Sequence, residues 1–361
     1  MTNRLVRDED QVLLVTGGAG FIGSNFIRWC FSNLNRIQII NLDSLTYAGN
    51  PNSLDEFSHD ERYTFIHGSI LDTELLKKMF IKYPISGVVH FAAESHVDRS
   101  ILGPDAFIDT NIKGTFNLLE VSRKYLENNT NIDFRFHHIS TDEVYGSLGD
   151  SGEFKETTPY DPSSPYSASK ASSDHLVKAY FRTYGFPAVI TNCSNNYGPY
   201  QFPEKLIPLM ILNILEEKPL PVYGKGLNVR DWLYVQDHCS AIWSVYRSGR
   251  LGETYNIGGR AERTNIEIVN ALCDIIDNKL GKDAGTSQKL IAYVEDRPGH
   301  DFRYAIDASK LHTELGWKPS FSFEEALLKT VNWYFDNMDW VENVRSGQYL
   351  EWVEANYSKR V

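Results

Sequence analysis

The chain has 361 residues, 42% hydrophobic and 23% charged, enough for one large or two medium domains with a sizeable core. Its formal net charge of -11 argues against a nucleic-acid surface, because neutralising phosphates takes clustered Lys and Arg. No apolar run approaches the roughly 18 to 20 residues that span a bilayer, and residues 1–10 are polar and lack the apolar centre of a signal peptide. Cys30, Cys193, Cys239 and Cys273 are far apart and form no C-x-x-C pair, which disfavours metal or disulfide roles and suits a reducing cytoplasm.

The apolar run 11–16 predicts a strand, and Gly17-Gly18-Ala19-Gly20-Phe21-Ile22-Gly23 follows at once. Phe26, Ile27, Cys30 and Phe31 then recur at helical spacing. In a strand–loop–helix context, Gly17, Gly20 and Gly23 let the backbone approach a pyrophosphate resting on the helix N-terminus; a tight structural turn is the alternative. The strand 37–42 ends at Asp43, 20 residues after Gly23. A carboxylate there would accept bonds from an adenosine ribose and repel a 2′-phosphate, favouring NAD over NADP.

Strands over 63–67, 87–92, 134–140 and 188–193 alternate with helices over 73–83, 104–127 and one opening at Ser163-Ser164-Pro165. This alternation predicts an α/β fold with a doubly wound parallel sheet and right-handed crossovers. The strand 134–140 delivers Thr141, Asp142 and Glu143 to the carboxyl edge, where open α/β sheets bind ligands. Four residues apart on the next helix, Tyr166 and Lys170 share a face, and an ammonium beside a phenol favours the phenolate. Taken alone, a Thr-Asp-Glu triplet is most often a solvated turn and a Tyr/Lys pair surface decoration. The preceding glycine loop makes both of them site candidates. His96, after the strand 87–92, reads as a loop histidine rather than a ligand.

Beyond about residue 199 the texture changes. Short strands (220–223, 229–234, 254–257) alternate with helices (204–217, 235–246, 265–280), and the turns Gly224-Lys225-Gly226 and Gly258-Gly259 fit a smaller α+β lobe. The expected division is 11–198 for the NAD-binding Rossmann domain and 199–352 for a ligand-binding lobe, with segments exchanged between them. Lys205, Arg230 and Arg297 stand beside turn residues and suit a diphosphate, although each alone could equally be a surface ion pair. Trp333, Tyr334 and Trp340 at helical spacing read as lobe packing.

Together these motifs resemble the extended short-chain dehydrogenase/reductase superfamily and, within it, the dTDP-glucose 4,6-dehydratases. The superfamily likeness rests on Thr16 to Gly23 and on Tyr166 with Lys170. The narrower one rests on Thr141-Asp142-Glu143-Val144-Tyr145-Gly146, on Ala92-Ala93-Glu94-Ser95-His96-Val97-Asp98-Arg99-Ser100 and on Asn195-Asn196-Tyr197-Gly198-Pro199. Asn228-Val229-Arg230-Asp231-Trp232 and Asp296-Arg297-Pro298-Gly299-His300-Asp301 complete it.

The resemblance implies NAD contacts from Phe21, Ile22, Asp43, Ser44, Leu45, Thr46, Ser69, Ile70, Ala92, Ala93, Glu94, Ser95, Thr110, Tyr166, Lys170 and Asn196. It implies a sugar nucleotide held by Ser95, Thr141, Asn195, Lys205, Leu206, Pro221, Val222, Tyr223, Arg230, Asn265, Asp296, Arg297 and His300. It also implies a homodimer paired through the helix 104–127 and the Tyr166 helix. In the implied reaction, carbon 4 of glucose is oxidised by NAD with Tyr166 as base, Lys170 lowering its pKa and Thr141 bonding the oxygen. Glu143 then takes the carbon 5 proton, Asp142 protonates the departing 6-hydroxyl, and the hydride returns to carbon 6. The alternatives are a UDP- or CDP-hexose 4,6-dehydratase or a 4-epimerase. Two departures from the family pattern are Ser69, where an aspartate is usual at the adenine edge, and Phe302, where a second arginine is common.

Overall fold

The computed structural model describes residues 11–130, 132–296 and 301–345. In chain order its strands are β1 (Gln11–Thr16), β2 (Ile37–Asp43), β3 (Tyr63–His67), β4 (Gly87–His90), β5 (Arg135–Thr141) and β6 (Ala188–Cys193), followed by β7 (Asn195–Tyr197), β8 (Leu220–Tyr223), β9 (Val229–Tyr234), β10 (Thr254–Ile257), β11 (Glu262–Thr264) and β12 (Ile291–Val294). Seven form one parallel sheet in the order β10-β6-β5-β4-β1-β2-β3. The order reverses between β1 and β4, so a crevice opens at their carboxyl ends.

Both faces of the sheet are covered, which is why β1, β5 and β6 are buried along their whole length. Alternate residues of β1 divide between two cores. Leu13 and Val15 pack with Phe26, Ile27 and Cys30 of α1 (Phe21–Asn33). Val12 and Leu14 pack with Leu76 and Phe80 of α2 (Thr73–Lys82). Each such fully buried side chain contributes roughly 1.5–3 kcal/mol.

Three further helical pieces follow: α3 (Val97–Leu102), α4 (Asp105–Phe107) and α5 (Thr115–Glu127). The single helix expected over 104–127 is interrupted between α4 and α5 by a π-helical stretch, Ile108–Gly114. There the Asn111 side chain bonds both backbone groups of Glu94 and the Ser169 hydroxyl, each at 2.9 Å. An anchor to two other segments of the chain accommodates the wide turn.

Helix α6 (Pro165–Tyr184) starts where the sequence signals it should. Ser164 and Ser167 form a capping box, Pro165 occupies the first turn, and Gly185 closes the helix at φ 65°. The later helices are α7 (Leu206–Leu215), α8 (Val235–Ser248), α9 (Asn265–Leu280), α10 (Ser309–Leu315), α11 (Phe323–Asp336) and α12 (Met338–Val344).

The second lobe has a three-stranded sheet, β11-β9-β7, and a two-stranded one, β12-β8, packed with α7, α9 and α11 around Met210, Leu272 and Val331. Trp333 and Trp340 close on Tyr200 and on each other. The chain crosses between the layers more than once. β10 joins the large sheet and α8 packs beside α1, although both follow residue 198, while β7 precedes 199 and pairs with β9. No helix among the described residues is long and apolar enough to cross a membrane.

Candidate active site

The carboxyl ends of β1, β2, β4, β5 and β6 open into one cleft of about 330 Å³. Its floor begins at the glycine loop. Gly17 has φ +73°, and a Cβ there would lie 2.6 Å from the Ala92 nitrogen; a Cβ on Gly23 would lie 2.3 Å from the Gly17 carbonyl oxygen. The N-terminus of α1 carries no acidic residue in its first turn, leaving an uncancelled positive end for an anion. Asp43 closes β2. Its two oxygens accept from the Ala19 and Leu45 N–H groups, both at 2.8 Å, while burial pushes its carboxyl up. A pyrophosphate cradle beside a fixed carboxylate fits a dinucleotide, and Gly17, Gly20, Phe21, Ile22, Gly23, Asp43, Ser44 and Thr46 all line the cleft. Leu45, at φ 51°, contributes its backbone to the Asp43 turn and is not in the lining.

The middle of the cleft is lined by Ser69, Ile70, Ala92, Ala93, Glu94, Ser95, Thr110 and Asn196. Ser69 turns its hydroxyl to the Leu71 N–H at 3.1 Å, a local turn bond. His96 caps α3, accepting from the Arg99 N–H at 3.4 Å.

At the far end, Thr141 caps the 3₁₀ turn Asp142–Tyr145, its hydroxyl oxygen accepting from the Glu143 N–H at 3.3 Å and lying 3.4 Å from Asp142 Oδ1. Gly146, at φ 88°, ends that turn against the Asp161 carbonyl, which a Cβ would approach to 2.5 Å. Asp142 is buried. Desolvation, then the Glu143 charge, then that of Asp231, push its carboxyl well up, against the pull of Arg230. Such a carboxyl can give a proton near neutral pH. Tyr166 and Lys170 reach the same place from α6, both buried, with Lys170 Nζ donating to the Ile139 carbonyl at 2.8 Å.

The expected drawing-down of the Tyr166 phenol by Lys170 is not the balance found. Burial and the Glu143 charge push the phenol well up, and burial also lowers the Lys170 ammonium. The reason is depth: desolvation of a fully enclosed phenolate outweighs one cation whose ammonium faces a carbonyl.

Thr141, Asp142, Glu143, Tyr166 and Lys170 thus share a cleft with Ser95, Asn195 and Lys205. Leu206, Pro221, Val222, Tyr223, Arg230, Asn265 and Asp296 are not in its lining. Val222 is in the lobe core, and Asn265 opens α9 with its N–H on the Asn228 carbonyl. Arg230 is buried, donating to the carbonyls of Val229, Asp301 and Phe302 and stacked 4.3 Å above the Tyr304 ring. Arg297 and His300 lie outside the described residues.

Sequence reasoning missed Cys193, Gln201, Phe202 and Glu204 in the lining. Glu204 is buried, accepts from the Tyr47 hydroxyl at 3.4 Å, lies 3.7 Å from His96 and 3.8 Å from Arg99, and is pushed up to about 7 by burial. An isolated glutamate beside a proline has no spacing that would mark it.

Comparison with known proteins gives a consistent picture. The family model described as GDP-mannose 4,6 dehydratase matches residues 14–330. The dTDP-glucose 4,6-dehydratase of Salmonella typhimurium is 56% identical over 360 residues, covering 96% of this chain and 99% of that one. A crystal structure of DesIV, the dTDP-glucose 4,6-dehydratase of Streptomyces venezuelae, with NAD and dTDP bound, is 47% identical with a TM-score of 0.85 over 92% of this chain and 100% of that one. The Bacillus anthracis dTDP-glucose 4,6-dehydratase in complex with NAD is 48% identical with a TM-score of 0.83, covering 92% and 99%.

Proposed function

The chain belongs to the dTDP-glucose 4,6-dehydratase family, and we propose that its cleft divides that reaction between an oxidation site, Tyr166 with Lys170, and an elimination site, Asp142 with Glu143. It is a hydro-lyase that converts dTDP-glucose to dTDP-4-keto-6-deoxyglucose and water, a precursor of deoxysugars such as rhamnose, with NAD as its cofactor.

When bound, NAD would supply the hydride acceptor for carbon 4 and the hydride donor for carbon 6. The chain's own groups handle the protons. Tyr166 is the base for the 4-hydroxyl, Lys170 offsets part of the burial cost of its phenolate, and the Thr141 hydroxyl bonds the oxygen as it becomes a carbonyl. The carbon 5 proton, now alpha to a ketone, goes to Glu143, which gives a proton back to carbon 5 when hydride reaches carbon 6. Asp142 protonates the 6-hydroxyl as it leaves as water. An ordinary aspartate would need its pKa raised by roughly 3 units, about 4 kcal/mol, to serve as that acid. The observation that carries this assignment is the burial of Asp142 beside two other carboxylates, which pushes its pKa in that direction.

Gly17, Gly20, Gly23 and Asp43 would hold the dinucleotide. Ser95, Asn195 and Lys205 would hold the sugar nucleotide at the lobe side, with Arg230 and Asp296 reaching it from beyond the cleft. We propose that the two functional lobes divide at 198/199, with β7 and β10 exchanged between them. Ile101, Leu102, Ile108 and Phe116 are exposed apolar side chains on α3, the π-helical stretch and α5, which supports pairing with a second copy through these helices and α6. Four unpaired, buried cysteines suit a cytoplasmic setting. The test is product mass from dTDP-glucose beside UDP-glucose. A product lighter by one water from dTDP-glucose supports the reading; unchanged mass would make the protein an epimerase.

A further inference from the structure

Lys170 is enclosed, and its ammonium faces a backbone carbonyl rather than a carboxylate. A charge in such a place needs a counter-charge to persist. One turn further along α6 lies Asp174, fully buried. Its Oδ2 accepts from the Ser140 hydroxyl at 3.0 Å and from the Tyr160 hydroxyl at 2.8 Å, and its Oδ1 lies 3.2 Å from His138 Nε2. Ser140 and His138 belong to β5, the strand that ends in Thr141, so the carboxylate joins the helix carrying the oxidation pair to the strand carrying the elimination pair. Ser173 reinforces the joint, donating to the Lys170 carbonyl at 2.8 Å and lying 3.2 Å from His138 Nε2.

We propose that Asp174 is a positioning residue for the oxidation step, supplying the counter-charge that keeps the Lys170 ammonium in its buried place and fixing α6 to the end of β5. The proposal rests on the assignment of Tyr166 and Lys170 to that step. The groups facing Lys170 leave the role to Asp174. His90 on β4 and His138 on β5 are both held neutral by burial, the latter lowered to about 4. Cys193 on β6 is a thiol whose ionisation burial suppresses. Around Asp174 itself lie His138, Tyr145, Tyr160, Lys170 and Lys178. Burial pushes its carboxyl up, but His138, the Lys170 charge and Ser140 outweigh this and hold it below its ordinary value. It is therefore the standing anion of the network.

Removing the negative charge lowers the Lys170 pKa further, so the cation is lost at lower pH and oxidation fails earlier on the alkaline side. The measurement is single-turnover NADH formation on the NAD-loaded protein with dTDP-glucose, from pH 6 to 10. Asp174→Asn should move the alkaline limb down by about one unit, and Asp174→Glu should restore much of it. Ser140→Ala, which removes a tie but no charge, should slow the reaction at every pH and leave the limb in place. Asp174→Ser is a second neutral variant should the amide not fold. An unmoved limb in both neutral variants would overturn the proposal. So would a protein that folds only with a carboxylate at 174, since the charge would then serve the fold. Tyr166→Phe in the same assay tests the underlying assignment separately: NADH formation that survives it refutes the oxidation site, whatever Asp174 does.

Discussion

The two ends of the cleft are built in different ways. The end proposed to hold the dinucleotide is backbone: a glycine loop held against Ala92, a helix terminus, and a carboxylate fixed by two amides. The end proposed to react is side chains, where Asp142, Tyr166, Lys170 and Asp174 are all buried and each pKa is set first by burial and then by its neighbours. A backbone site tolerates little change in shape but carries little tunable chemistry. The side-chain site is the reverse: conservative changes should leave its shape intact while removing one proton-transfer step.

The sharpest way to test that contrast is Tyr166→Phe. It removes a single hydroxyl from the reacting end and should cost up to about ten-thousandfold in NADH formation, with NAD still bound. At the backbone end, Gly17→Ala brings a Cβ to 2.6 Å from Ala92 N at a positive φ. Strain of about 3 kcal/mol corresponds to on the order of a hundredfold in NAD affinity, and denaturing the purified protein should release far less NAD than wild type does.

Between the lobes, Arg230→Ala should raise KM for dTDP-glucose about tenfold through loss of a charged donor, with single-turnover NADH formation at saturation little changed. A fall in the NADH step alone would move Arg230 into the oxidation site. The smallest effect concerns Glu204, held at about 7 in the fold by burial. A raised acid contributes stability that is complete below its unfolded value and is lost as pH rises through 7. Wild type should therefore lose a few degrees of Tm between pH 6 and 8, and Glu204→Gln should flatten that slope. Parallel slopes would show that Glu204 does not ionise in this range.

Much of this contrast was legible in the sequence. Contiguous runs were readable because the backbone itself forms the site: Gly17 to Gly23, Asp43, and Thr141 to Glu143 each lie at a strand end. Tyr166 and Lys170 were readable because helical spacing fixes their common face. What could not be read was anything decided by depth or by distant pairing. Asp174 and Glu204 look like surface carboxylates in sequence, and only burial turns them into charges that matter. Exchange of segments between the lobes was expected, but which strands exchange, β10 and β7, could not be read, since a strand of three or four residues fits either sheet. Asn111 gave no hint of the π-helical stretch, whose partner Glu94 comes from another segment.

The central claim is that oxidation and elimination use different groups in one cleft. Asp142→Asn and Glu143→Gln keep size and hydrogen bonding but remove the proposed acid and the proposed base. Stopped-flow absorbance of the NAD-loaded variants with dTDP-glucose, followed by product mass, should show NADH forming at a near wild-type rate and then persisting, with no product lighter by one water. Loss of NADH formation and dehydration to the same degree in both variants would contradict the division and assign the carboxylates to binding or to the oxidation itself.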